Sequence, residues 1–229
     1  MNRLFAVAVL GALIACGDST ESPLAPSSTT PNDASINGAG AGTGGGVVYT
    51  GHGIAVDATI QGTNTKLCDT GMLPRAGGRI ENKVAASSIA GVLSASSLYC
   101  ITMSMDKKGI SEATVFGLNL TVAGNTILAD KVHSMSGAFC PPNTKVPASS
   151  GAAFVTNLRI NGRAVTVKAS TPNQKFELPN GFVMFNEHSS FVTQFHAGRT
   201  VTGLRVVINK PQGAAEVILA RALTHIDCP

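Results

Sequence analysis

Tryptophan is absent from this 229-residue chain, tyrosine occurs only twice, and nearly all aromatic content is nine phenylalanines. No Lys or Arg cluster accompanies them, so nucleic-acid binding has no support. Apart from its first residues, the chain has no apolar run near the ~20 residues of a membrane-spanning helix. Long helical periodicity is scarce. Closely spaced cysteine pairs are missing too: Cys68, Cys100, Cys140 and Cys228 follow one another at intervals of 32, 40 and 88 residues. Structural zinc sites use Cys-x2-Cys-like spacings, so that reading is excluded. Only one Asp-Thr-Gly occurs, where a single-chain aspartic protease needs two carboxylates sharing one proton.

What is present begins with an address. Arg3 precedes the 11-residue apolar stretch Leu4–Ile14, a secretory h-region in length and flanks. Leu13-Ile14-Ala15-Cys16 resembles a bacterial lipobox. That implies a signal peptide over 1–15 and a diacylglyceryl thioether on Cys16, hence stable attachment to a membrane through two or three acyl chains. Gly17 stands where lipoproteins retained in an inner membrane carry Asp, which favours the outer membrane. Residues 16–46 form a tether. From 17 onward only Asp18, Glu21, Leu24, Asp33 and Ile36 fall outside Gly, Ser, Thr, Pro, Ala and Asn, too little apolar area to offset ordering entropy. Gly40-x-Gly42-x-x-Gly45 matches a dinucleotide fingerprint in letters alone, with no strand before it and no helix after it. Without Arg3 the 17 basic residues fall to 16 against 13 acidic, a mild net +3. With Cys16 lipidated, four cysteines remain. In an exported chain an even number reads as two disulfides, for which three connectivities exist.

Residues 47–229 suffice for one β domain. Val, Ile, Thr, Ser, Ala and Gly dominate. Short alternating stretches recur, with turn residues about every ten positions: Val115, Leu118, Leu120 and Val122 share one face, Leu204, Val206 and Ile208 another, and Val165 and Val167 a third. Segment 79–93 reads as strand and turn. A weak repeat relates 111–140 to 198–228; each has a strand containing Gly-Leu, a turn, a second strand and a terminal Cys. Residues 151–170 and 82–100 are partial copies. The expected fold is all-β, an antiparallel two-sheet sandwich built from degenerate hairpin repeats, with a β-solenoid or β-prism as the alternative.

"CDTGMLPRAGG", "GVLSASSLYCITMS", "SEATVFGLNLTVAGNTILADKV", "LRINGRAVTV", "PNQKFELPNGFVMFNE" and the closing "AEVILARALTHIDC" together resemble the choice-of-anchor P family over most of 50–228. The resemblance implies a secreted, β-rich surface domain held at the envelope by a variable anchor; it implies no particular enzymatic activity. It also implies that Asp69-Thr70-Gly71 is a structural turn, and that the bridges are Cys68–Cys100 and Cys140–Cys228. Elementary chemistry agrees about the turn: Asp and Thr side chains bond nearby backbone, Gly71 supplies positive φ, and Pro74 and Gly77-Gly78 continue the loop. Met72 stands where Ala or Ser follows the tripeptide of aspartic proteases.

Other motifs have plainer readings. Gly109-Ile110-Ser111-Glu112-Ala113 is near a nucleophile elbow but precedes a strand rather than a helix, and Ser104-x-x-Lys107 lacks its partner motifs. His52, His133, His188, His196 and His225 are scattered without metal-ligand spacing, although His133 and His225 occupy similar places in the two repeats, near Asp130 and Asp227. Asp57, Asp69, Asp130 and Asp227 form no calcium-loop pattern. No metal or other cofactor is expected. Phe182, Phe185, Phe191 and Phe195 are four of the nine phenylalanines; they are either core or an exposed contact patch. The expected function is that of a lipid-anchored extracytoplasmic surface protein with a structural, adhesive or binding role toward an envelope polymer or surface protein. The alternatives are an envelope hydrolase, using Asp69 in a dimer or Glu187 and His188 in a cleft, and a small-ligand carrier with a deep apolar cavity.

Overall fold

The computed structural model describes residues 46–142, 146–209 and 213–229. The expected signal peptide 1–15, the expected lipidation site Cys16 and all of the expected tether except Gly46 lie outside the described residues. Among the described residues fifteen strands run in chain order. The first two are β1 (Val48–Ile60) and β2 (Thr63–Asp69). Next come β3 (Gly78–Val84), β4 (Ser87–Ile89), β5 (Leu93–Ala95) and β6 (Ser97–Met105). The long pair β7 (Lys108–Val122) and β8 (Asn125–Phe139) is followed by β9 (Ala148–Thr156), β10 (Arg159–Ile160) and β11 (Arg163–Ala164). The last four are β12 (Gln174–Leu178), β13 (Gly181–Val192), β14 (His196–Ile208) and β15 (Ala215–Asp227).

Two antiparallel sheets pack face to face as a sandwich, neither closed into a barrel. One has six strands in the order β12-β13-β14-β15-β1-β2. The other has nine, with β7 and β8 at its centre. Each of those two strands is long enough to carry two shorter partners end to end: β7 pairs with β6 and then β5, β8 with β9 and then β10. A solenoid or prism is thereby excluded. The two most similar repeats are the hairpins β7–β8 and β14–β15, one at the heart of each sheet. Their terminal cysteines, Cys140 and Cys228, are joined in a disulfide. The expected alternation at Val165 and Val167 becomes only the two-residue β11, after which both valines pack from a loop against the core.

The interior changes character along the strands. Val217 and Leu219 are buried on β15, but the next buried residues facing the other sheet are Ala222, Thr224 and Ile226, an odd step. The strand turns its pleat over at Ala220, whose φ is +53°. Neighbouring strands do the same in register: the pairing skips Ala55 opposite Ala220, Gly203 opposite Ala220, Asn186 opposite Gly203, and Cys68 opposite Ala55. Asn186 and Cys68 also take positive φ, 48° and 50°. A matching line crosses the other sheet at Gly117, φ +57°, opposite Asp130. Strict period 2 would set Val115 against Leu118, Leu120 and Val122; the inversion at Gly117 returns all four to the core.

On one side of this line the core is aliphatic: Val56, Leu118, Leu120, Ile127, Leu204, Val206, Val217 and Leu219. On the other, the sheets meet through small and hydroxyl residues. Gly51 and Gly53 on β1 face Thr102, Ser111 and backbone of β6 and β7. Thr102 Oγ1 bonds Ser111 Oγ at 3.0 Å, and Ser136 Oγ bonds Thr224 Oγ1 at 2.7 Å. The Tyr49 ring covers Gly109, and its hydroxyl reaches Ser111 Oγ at 3.2 Å. This end closes on a small cluster of Tyr49, Leu73, Ile80, Ile226 and the Cys140–Cys228 bridge.

Candidate functional site

Asp69 ends β2, and Thr70 and Gly71 follow it as irregular backbone that stays bonded to β1 through the Thr70 and Leu73 N–H groups. Asp69 Oδ1 accepts the Gly71 N–H at 2.7 Å and pairs with His52 Nε2. Thr70 Oγ1 accepts the Gly53 N–H at 3.0 Å and donates to the Gly71 carbonyl at 2.8 Å. Gly71 has φ +64°. Burial alone would raise the Asp69 carboxyl pKa; the hydrogen bonds from His52 and the Gly71 N–H, with the charges of His52 and Lys66, outweigh it and hold that pKa below the usual value. The partners of the carboxylate are its own loop, an imidazole and the Lys66 ammonium, 3.8 Å away.

The remaining catalytic look-alikes resolve into packing. Ser111, the centre of the elbow-like motif, is fully buried inside β7. Ser104 Oγ accepts the Gly78 N–H at 3.2 Å, just before the turn that contains Asp106 and Lys107. Glu187 and His188 both line one open groove but take different partners: Glu187 reaches Arg205 at 3.1 Å, while His188 meets Asn186 Oδ1 at 2.6 Å and Arg199 at 3.2 Å. Burial and then the Arg199 charge depress the His188 pKa. The open groove of about 590 Å³ over this face holds Glu187 and Glu216, but Arg205 lies between them and pairs with both. A second hollow of about 480 Å³, lined by Met103, Met105, Ile110 and Phe139, is open to solvent rather than a deep carrier cavity.

His133 and His225 lie on different sheets and do not converge. His133 Nδ1 bonds Thr114 Oγ1 at 2.8 Å under the Phe154 ring. The aspartates also go separate ways: Asp57 to Arg221 at 2.7 Å, Asp130 to Asn157, Asp69 to His52 and Asp227 to histidines. The expected second disulfide is corrected: Cys68 and Cys100 are neighbouring buried thiols. Cys68 sits at the pleat inversion, and its Sγ faces the Asn82 carbonyl at 3.3 Å. The adjacent Cys68 side chain and burial both push the Cys100 thiol pKa up.

The four phenylalanines divide. Phe185 is 3% exposed and belongs to the core. Phe182 lies under the Lys175 ammonium, 4.7 Å from its ring centroid. Phe191 and Phe195, by contrast, are 51% and 43% exposed, with Val192 between them at 54%. They flank the turn from β13 to β14. Beside them is a group that sequence reasoning missed: His196, His225 and Asp227. The antiparallel register sets His196 directly against Asp227, and His225 lies two residues back on the same face. The spacing His225-x-Asp227 was the visible signal; pairing it with His196 required the register of β14 on β15.

No family model, curated protein or solved structure matches this chain.

Proposed function

We propose that this chain is a lipid-tethered extracytoplasmic surface protein whose sandwich binds rather than catalyses, displayed at the outer membrane or cell surface. The lipobox ending at Cys16 and the low-complexity tether support the address. The observation that carries the binding role is the exposed Phe191-Val192 and Phe195 at one end of the sandwich, on a turn fixed by Thr193. There the Thr193 N–H donates to the His196 carbonyl at 2.7 Å, and Thr193 Oγ1 accepts the His196 N–H at 3.0 Å. Rigid aromatic side chains at such an edge offer large apolar contact area at small ordering cost. The fitting partner is an envelope polymer or a surface protein. The internal bonding of Asp69, and the engagement of Glu187 by Arg205 and of His188 by Asn186 and Arg199, support a non-enzymatic role.

Two variants of the full-length protein test this reading. Cys16→Ser is expected to move the chain from the membrane fraction to the soluble fraction; retention in the membrane would end the lipid-anchor reading. Phe191→Ala/Phe195→Ala is expected to lower co-sedimentation with purified envelope polymer or whole cells at least ~10-fold, since exposed anchors lose ~1–2 kcal/mol or more each at a true interface. Its melting temperature should stay near that of the parent. Unchanged binding would remove this edge from the contact surface.

A further inference from the structure

We infer that His196, His225 and Asp227 form a binding site for one divalent transition-metal ion, of the zinc, copper or nickel type. The three side chains come from two strands at a stiff corner. His196 opens β14 and is held by Thr193; Asp227 ends β15 directly before Cys228, which is bonded to Cys140. The Cys228 N–H also donates to the Phe195 carbonyl at 2.8 Å, tying the β15 end to the turn.

The donor atoms already converge. His196 Nδ1 lies 2.7 Å and His225 Nε2 2.9 Å from the same Asp227 oxygen, and all three lie within 4.8 Å of one another. Among the described residues this is the one group of three potential ligands placed so closely. An ion about 2.0–2.2 Å from each donor separates the donors by about 3.0–3.5 Å. The Asp227 contacts would open by a few tenths of an ångström, and the two histidines would close toward each other. Both side chains are partly exposed, and His196, the more exposed of the two, has room to make most of that movement. The ion would replace the protons that the imidazoles now share with Asp227.

The surroundings fit a preformed site. Position 198, paired with His225, is glycine, and the Phe191 ring fills the space over it. That ring also lies 5.5 Å from His225, centroid to centroid, and limits its rotation. Two imidazoles and one carboxylate suit first-row divalent ions and disfavour calcium and magnesium, which take oxygen donors. Three protein donors leave coordination positions open at the solvent face, where water or a ligand donor can bind. Nothing in this assignment depends on the phenylalanines binding a polymer.

The untagged full-length protein, freed of metal by chelation, is titrated with Zn²⁺ and Cu²⁺ by calorimetry. One equivalent is expected to bind. His196→Ala, His225→Ala and Asp227→Asn should each weaken it at least ~10-fold, because losing a donor costs no less than losing a second-shell partner. His133→Ala should leave it unchanged. The Cu²⁺ electron paramagnetic resonance spectrum reads the donors without any mutation and should contain two imidazole nitrogens. Absence of saturable binding below about 100 µM would overturn the inference. So would a spectrum with one nitrogen or sulfur donors, or full binding by a His196→Ala/His225→Ala double variant, which would place the ion on the Cys68 and Cys100 thiols or elsewhere.

Discussion

Gly53→Val is expected to abolish folding. A Cβ at this position would stand 2.7 Å from the Glu112 carbonyl oxygen and 3.1 Å from that of Ile101. Both are backbone atoms of the opposite sheet, so no side-chain rotation relieves the clash. The neighbouring bonds fix the strand as well: the Gly53 N–H is held by Thr70 Oγ1, and its carbonyl accepts the Thr70 N–H, each at 3.0 Å. Overpacking a yielding core costs ~1–3 kcal/mol. A branched side chain between two backbones exceeds that, and a loss above ~4 kcal/mol removes much of a typical domain's ~5–15 kcal/mol. The far-UV circular dichroism of the recovered protein and its urea midpoint check this. The control is Gly137→Ala, whose new methyl would meet Ser150 Oγ at 3.4 Å, ordinary contact. Its stability should change by less than ~1 kcal/mol. A folded Gly53→Val with a native midpoint would mean that the sheets stand further apart than described.

Removing the Cys140–Cys228 bridge by a double serine substitution is expected to cost about 2–5 kcal/mol. The bridge spans 88 residues, and the chain-entropy treatment puts a loop of this size near 4–5 kcal/mol, with measured values often lower. For a domain of this length each kcal/mol moves the melting temperature by ~2–4 °C, so a drop of about 5–20 °C is expected. Calorimetry of the two proteins checks it. The same sample settles the other cysteines. The mature protein, denatured without reductant, should titrate two thiols, Cys68 and Cys100, and none while native. Zero thiols after denaturation would mean that the pair had oxidised to a second bridge.

Much of the fold was legible because the dominant force, apolar burial, writes directly into strand alternation. Leu204, Val206 and Ile208 were placed together from period alone and are all buried. The repeat between 111–140 and 198–228 marked the two central hairpins, and their final cysteines are the bridged pair. Less legible were features set by pairing rather than by local pattern. The inversion at Ala220 and Cys68 puts non-glycine residues at positive φ, which no propensity favours. Phe185 and Phe191 look alike in sequence, yet the Asn186 inversion and the strand end decide that one is core and the other exposed. His196 and Asp227 are 31 residues apart, and only the register of the hairpin makes them neighbours.

The line of pleat inversions divides the interior into two regimes of substitution. On the aliphatic side, one branched side chain can replace another and neighbours can shift, because only total volume is constrained. On the glycine, serine and threonine side, the sheets meet atom to atom, and a single added methyl at Gly53 or Gly109 has nowhere to go. Sequences sharing this architecture should drift freely in one half and hardly at all in the other. The frozen half is the one that carries the phenylalanine edge, the histidine pair and the covalent clamp. Variation of a contact surface there falls to the exposed turn residues, while the frame beneath them holds its shape.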